Sequence, residues 1–179
     1  MGRVRDEIDE ALAEFIGAQH IFFVATAPLS GEGHVNLSPR GYDSLRVLGR
    51  RQLAWVDLTG SGAETIAHLR ENGRITMMWC AFDGPPRIVR IHGRGFVRPI
   101  DDPRLAPHLP SLPGARAIIE VEASRISDSC GYAVPLMDFV GDRQRLLDWA
   151  DTKGPEGLEA YRREKNARSI DGLPAVIDP

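Results

Sequence analysis

Thiols, metal-binding patterns, long apolar runs and surplus charge are all scarce in this chain, and each scarcity removes a class of function. Only two cysteines occur in 179 residues. Cys80 lies in an apolar run and Cys130 in a polar stretch, settings too different for a disulfide framework, so both read as free thiols. The five histidines, His20, His34, His68, His92 and His108, are scattered without metal-ligand spacing, and neither HExxH nor CxxC occurs. That argues against a dedicated zinc site. No apolar stretch approaches the about 20 residues that span a bilayer, and the opening MGRVRDEIDE carries no apolar segment suited to a secretory signal. The expectation is a cytoplasmic protein without a membrane partner. With 22 basic and 25 acidic residues and a formal charge of −3, nothing points to nucleic acid as the main partner either. Internal repeats and low-complexity tracts are absent, and the length fits a single domain over residues 1–179.

What is present is concentrated first in residues 34–40, HVNLSPR. Read as a strand, they place His34, Asn36, Ser38 and Arg40 on one face and Val35 and Leu37 on the other. The first face lines up an amide, a hydroxyl and a guanidinium, a donor row suited to an anion; the second is expected to enter the core. Pro39-Arg40-Gly41 ends the row in a turn. The same pattern also fits a half-wet antiparallel strand with an ordinary polar outer face.

Around this stretch the chain reads mainly as strands. Val4, Ile8, Leu12, Phe15 and Ile16 fall on one stripe, predicting an amphipathic N-terminal helix that ends near Gly17. Residues 21–27 (IFFVATA) form an apolar strand, and PLSGEG turns it into the donor-rich strand as a hairpin. Short strands follow at 45–48 and 52–58, then an apolar run at 75–82. Residues 87–99 alternate, with Gly93 and Gly95 on one face, which predicts a tight bend or close backbone approach within a barrel. Their GRG lies inside a strand pattern and lacks a third glycine, so it is no dinucleotide fingerprint. Residues 117–123 give one more strand, and 127–135 (SDSCGYAVP) read as a loop after it. Two helices divided at Lys153-Gly154-Pro155 are expected over 142–167, and the charged run 161–168 reads as a solvated helix face. Trp55, Trp79 and Trp149 read as packing residues. The class is α+β: a mainly antiparallel, closed or nearly closed β-barrel over about 20–125, with an N-terminal helix, one helix between strands and a C-terminal helical extension at about 138–168.

That interposed helix, residues 63–72, has Ser61 ahead of it and Glu64 three residues on, the signature of a capping box. Thr59-Gly60-Ser61-Gly62 precedes it. A glycine-flanked helix start also offers free amide donors to a phosphate, so the segment has two readings.

Taken in order, the apolar strand, HVNLSPRG, DLTGSG, ETIAHLRENG, ITMMWCAF and PPRIVRIHGRG resemble the pyridoxamine 5′-phosphate oxidase-like flavoproteins over most of residues 21–123. The resemblance implies a split barrel and a homodimer with FMN at the subunit interface. The phosphate would be held from a barrel strand and from the following strand-helix turn. By position this points to Ser38 and Arg40, then Thr59, Ser61 and Thr65, with Arg87 on a later strand. Asn36 and Gly60 belong to the same two segments, and the loop with Cys130 and Tyr132 would reach the flavin ring. Cys130 reads more simply as a loop thiol than as a nucleophile, because no residue pattern places a base beside it. True pyridoxamine phosphate oxidases carry a basic residue where this chain has His34, and an Arg-Lys pair where it has Glu64-Thr65. The resemblance therefore bears on fold and flavin more than on vitamin B6 as substrate. It implies two-electron hydride transfer with a small organic molecule. Related split barrels bind a deazaflavin coenzyme, which leaves a deazaflavin-dependent reductase as one alternative; another is a non-catalytic flavin- or haem-binding sensor or storage protein, with His20, His34 or His92 as axial-ligand candidates for haem.

Overall fold

Eight strands and three helices make up the computed structural model, which describes residues 2–176. In chain order they are β1 (Arg3–Arg5), α1 (Glu10–Ala18), β2 (Phe22–Thr26), β3 (Asn36–Arg40), β4 (Leu45–Gly49), β5 (Gln52–Leu58), α2 (Glu64–Glu71), β6 (Arg74–Cys80), β7 (Ile88–Arg98), β8 (Ala115–Ser129) and α3 (Arg145–Lys165). The sheet runs β3-β2-β6-β7-β8-β5-β4 with every neighbour antiparallel, and β1 adds to β8. β3 and β4 end the path without pairing to each other, so the barrel is split rather than closed. β8, at 15 residues, is long enough to pair with β7 on one edge and with both β5 and β1 on the other.

The core follows from alternation along these strands. Leu53 and Trp55 of β5, Met77 and Trp79 of β6, Val89 and Ile91 of β7, and Ile119 and Val121 of β8 point inward together. Leu12 and Ile16 of α1 and Ile66 and Leu69 of α2 cover them. The N-terminal helix begins later than its apolar stripe implies. Asp9 caps it by accepting from the Leu12 amide at 2.8 Å, whereas Val4 lies in β1 and is 54% exposed. Extended pairing with β8 satisfies that backbone better than a helix could.

Gly93 and Gly95 behave as their shared face predicts. A Cβ on Gly93 would sit 2.2 Å from the Glu122 carbonyl oxygen, where the β7–β8 register shifts, and one on Gly95 would press 2.7 Å from Leu69 Cδ2. The helical extension also divides where expected: Gly154 takes a left-handed φ of 64° inside α3, and Pro155 follows.

Three expectations change. Ser61 does not cap α2: the N-cap is Ala63, with no side-chain cap bond, and Glu64 instead accepts from the Ile170 amide at 3.3 Å. Ser127, Asp128 and Ser129 belong to β8, not to a loop, because β1 and β7 pair with them. Val35 and Leu37 are 74% and 65% exposed. β3 is an edge strand whose core-side face is the Asn36, Ser38, Arg40 row, opposite Thr26, Val24 and Phe22 of β2. Among the described residues no helix is long and apolar enough to cross a membrane.

Candidate functional site

The donor row of β3 faces the first turn of α2, and Asn36 is its hub. Asn36 Nδ2 donates to Thr26 Oγ1 at 3.1 Å and to Thr65 Oγ1 at 3.0 Å, while its Oδ1 accepts from Ser38 Oγ at 2.8 Å. Arg40 Nη2 approaches Thr65 Oγ1 at 3.4 Å. Thr26 Oγ1 in turn meets His68 Nδ1 at 3.0 Å. Asn36, Ser38, Arg40 and Thr65 are thus brought together.

Behind Arg40 lies a buried charge cluster. Arg40 Nη2 is 3.2 Å from Asp57 Oδ1, an ion pair without hydrogen-bond alignment, and Arg40 Nε has no hydrogen-bond partner among the described residues. Arg116 Nε donates to Asp57 Oδ2 at 2.7 Å, and its other nitrogens reach the Gly62 carbonyl and Asn166 Oδ1, each at 3.0 Å. Burial would raise the Asp57 pKa, but Arg40 and Arg116 outweigh it and hold the carboxyl below its ordinary value. Arg162 of α3 donates to Thr59 Oγ1 at 2.8 Å and to the Ala115 carbonyl, and Asn166 donates to the Gly60 carbonyl. Burial first, and then the like charge of Arg116, push the Arg162 pKa down. Arg40 and Arg116 therefore share one fully buried carboxylate, and Arg162 adds a third guanidinium beneath the 59–62 turn. Glu64, half-buried at the start of α2, is turned to Ile170. This surplus of positive charge faces a helix start whose N-cap side chain satisfies none of the first amides.

The turn itself differs from the sequence expectation in one respect. Thr59 is buried and its hydroxyl oxygen is engaged by Arg162, so it braces the turn, while Ser61 and Gly60 keep some exposure. Arg162 also corrects the reading of 161–168 as a solvated face.

Arg87, Cys130 and Tyr132 form a second group, none of which bonds to the first among the described residues. Arg87 Nη2 pairs with Asp128 at 3.1 Å and its guanidinium lies over the Phe15 ring at 4.6 Å. Arg5 shares the same carboxylate at 3.0 Å. Burial would raise the Asp128 pKa, and the two arginines bring it below the ordinary value. Gly131 packs against the Arg87 backbone, Cys130 is an exposed free thiol, and Tyr132 is 82% exposed.

A cavity of about 790 Å³ opens beside the end of β3. Phe23, Pro39, Phe82, Met137 and Phe139 give it apolar walls, and Arg40 borders it. The 135–143 segment crosses it, held by a stack of Phe139 on His20 at 3.6 Å and by Tyr42 Oη donating to the Arg143 carbonyl at 2.6 Å. Of the other histidines considered as metal ligands, His34 Nδ1 is taken by Asp171 at 2.6 Å, and His92 has a buried Nδ1 without a partner among the described residues.

Sequence reasoning missed Asp57, Arg116, Arg162, Asn166 and His68. Asp57 alone left a trace, as a charge inside the apolar strand Gln52–Leu58; Arg116, Arg162 and Asn166 become visible only once α3 packs under the turn, and His68 only once α2 meets β2.

The sheet order, the edge row and the strand-helix turn define an antiparallel split-barrel protein with an arginine-rich corner. Residues 8–130 match the family described as pyridoxamine 5′-phosphate oxidase. The chain is 40% identical to the pyridoxamine 5′-phosphate oxidase family protein ustO of Aspergillus flavus over 191 aligned positions, 96% of this chain and 76% of that one. This chain belongs to the pyridoxamine 5′-phosphate oxidase family. Among solved structures it is similar in fold to HupZ of Group A Streptococcus, with a TM-score of 0.51, 17% identity, and 66% and 91% of the two chains covered. The FAD binding protein of Mycobacterium smegmatis aligns with a TM-score of 0.51 at 13% identity, covering 69% and 96%.

Proposed function

We propose that this protein is an FMN-binding oxidoreductase that works as a homodimer and exchanges a hydride with a small organic substrate. The observation that carries the reading is the unbalanced positive charge at Arg40, Arg116 and Arg162, set against the free amide end of α2. The group fits these residues: a phosphate dianion would complement the surplus charge, and Arg40 Nε is a buried donor in need of an acceptor. Arg40, Thr65 and the 60–62 backbone would hold the phosphate, with Asn36 and Ser38 shaping the pocket floor. Thr59 would act from behind, through Arg162. Flavin, when bound, supplies the two-electron chemistry, and the protein supplies binding, orientation and exclusion of water.

The cavity beside β3 falls within the about 300–1,000 Å³ typical of cofactor and ligand sites, and its aromatic walls suit a planar ring. Family membership and the flavin-binding name of the Mycobacterium smegmatis relative in fold support the cofactor class. The exposed apolar side chains of Val35, Leu37, Leu136 and Val140 form the surface that a second copy would cover. Arg87, Cys130 and Tyr132 are assigned to the ring end of the site, approached across that interface.

The test is a flavin fluorescence titration of purified protein with FMN, with riboflavin as the phosphate-free reference. Saturation at one FMN per subunit is expected. Arg40→Ala should weaken FMN binding by about 2 kcal/mol or more. No FMN binding, or an unchanged affinity in the variant, would overturn the assignment.

A further inference from the structure

The corner just described rests on a chain of buried groups, of which His68 and Thr26 lie behind Asn36 and Thr65. His68 is fully buried, and Thr26 and Thr65 are 3% and 2% exposed. The chain runs His68 Nδ1, Thr26 Oγ1, Asn36 Nδ2, Thr65 Oγ1, with successive separations of 3.0, 3.1 and 3.0 Å. Its proton inventory is restrictive. Asn36 spends both amide protons, one on Thr26 and one on Thr65. Thr65 Oγ1 accepts from Asn36 and from Arg40, which fills both of its lone pairs. The only thing Thr65 can still offer is its own proton. Ser38 has spent its proton on Asn36 Oδ1, so it can only accept.

We infer that His68 and Thr26 are positioning residues for the phosphate site, fixing Asn36 so that Thr65 is an obligate donor beside Arg40. The inference rests on the phosphate reading above and adds a direction to it. A donor-only threonine next to a guanidinium favours an oxygen that carries no proton, such as an ionised phosphate presents. Thr26 is the link that transmits His68: its oxygen is held between Asn36 and the imidazole, and losing either neighbour frees it to rotate. Burial holds His68 neutral, with Nε2 lacking a partner among the described residues. An imidazole kept in a dry site at that cost is consistent with a requirement for its Nδ1 geometry.

The experiment measures the ratio of FMN to riboflavin affinity in the full-length protein by fluorescence titration. His68→Leu and Thr26→Val should lower that ratio about tenfold, as expected for one misdirected hydrogen bond to a charged group. His68→Asn, whose amide can occupy the Nδ1 position, and Thr26→Ser should restore it. A purely structural role would lower both affinities together and leave the ratio alone, and that result would overturn the inference. Thr26→Val, nearly equal in volume, decides the matter if His68→Leu does not fold. A wild-type protein with no preference for FMN over riboflavin would instead overturn the phosphate reading beneath it.

Discussion

Arg116 shows how a residue can govern a site without facing it. Its side chain is 3% exposed, and that of Asp57 is 0%. Together they join the end of β5, the 59–62 turn and Asn166, which caps α3, through three hydrogen bonds. Arg116→Met would strand the Asp57 carboxylate with Arg40 as its sole cation, in an ion pair that lacks hydrogen-bond alignment. The expected loss is about 3 kcal/mol or more in urea-induced unfolding, and a loss below about 1 kcal/mol would show the pair to be dispensable. The donor row was legible in the sequence because strand alternation alone puts Asn36, Ser38 and Arg40 on one side. Which side meets the core was not, since that depends on β3 lying at an edge under α2. The buried support was illegible for a different reason: Arg116 sits 59 residues from Asp57 and 50 from Asn166, and no local pattern encodes such distances.

Elements differ in how tightly their neighbours constrain them, and the two glycines of β7 separate the cases. At Gly93 the obstacle to a side chain is the Glu122 backbone of β8, fixed in the ladder; at Gly95 it is the tip of the Leu69 side chain, which can shift. Gly93→Ala should therefore destabilise by about 1–3 kcal/mol or more, and clearly more than Gly95→Ala, in denaturant unfolding. Equal costs would mean that β7 and β8 slide freely past each other. The alternation of β7 and the paired glycines made this close approach readable in advance. The start of α2 misled because Ser61 and Glu64 have the right spacing for a capping box. Ala63 takes the cap position instead, since Arg116 and Asn166 pull the turn's carbonyls downward. The short β1 was unreadable because three residues carry no period of their own.

For the molecule as a whole, acid should act in two stages. Burial lowers the His68 pKa in the folded state, and the unfolded chain restores it to about 6.5. The unfolded chain then binds the additional proton, so stability present above about pH 6.5 declines below it. Asp57 and Asp128 are both held below their ordinary values by arginines. Their contribution is intact above about pH 4 and is lost as pH falls through the depressed folded values. Tm measured against pH should fall in both windows, and His68→Asn should flatten the first. A Tm indifferent to pH between 7 and 5, values chosen to bracket about 6.5, would contradict the burial of a neutral imidazole.

The order in which the sheet is written differs from the order in which it is threaded. β1 is translated before every other element described, yet its partners are Ile126, Ser127 and Asp128. β8 must also enter between β7 and β5, long after β5 has been made. Until the ribosome has released residue 129, the last of β8, the β4–β5 hairpin waits with an apolar edge unpaired. The β3-β2-β6-β7 half, by contrast, can already assemble from hairpins and neighbours. A nascent chain stalled within β8 therefore exposes one finished half-sheet and one orphaned ribbon. That interval is when a holding chaperone has most to grip and when two growing chains are most apt to pair wrongly.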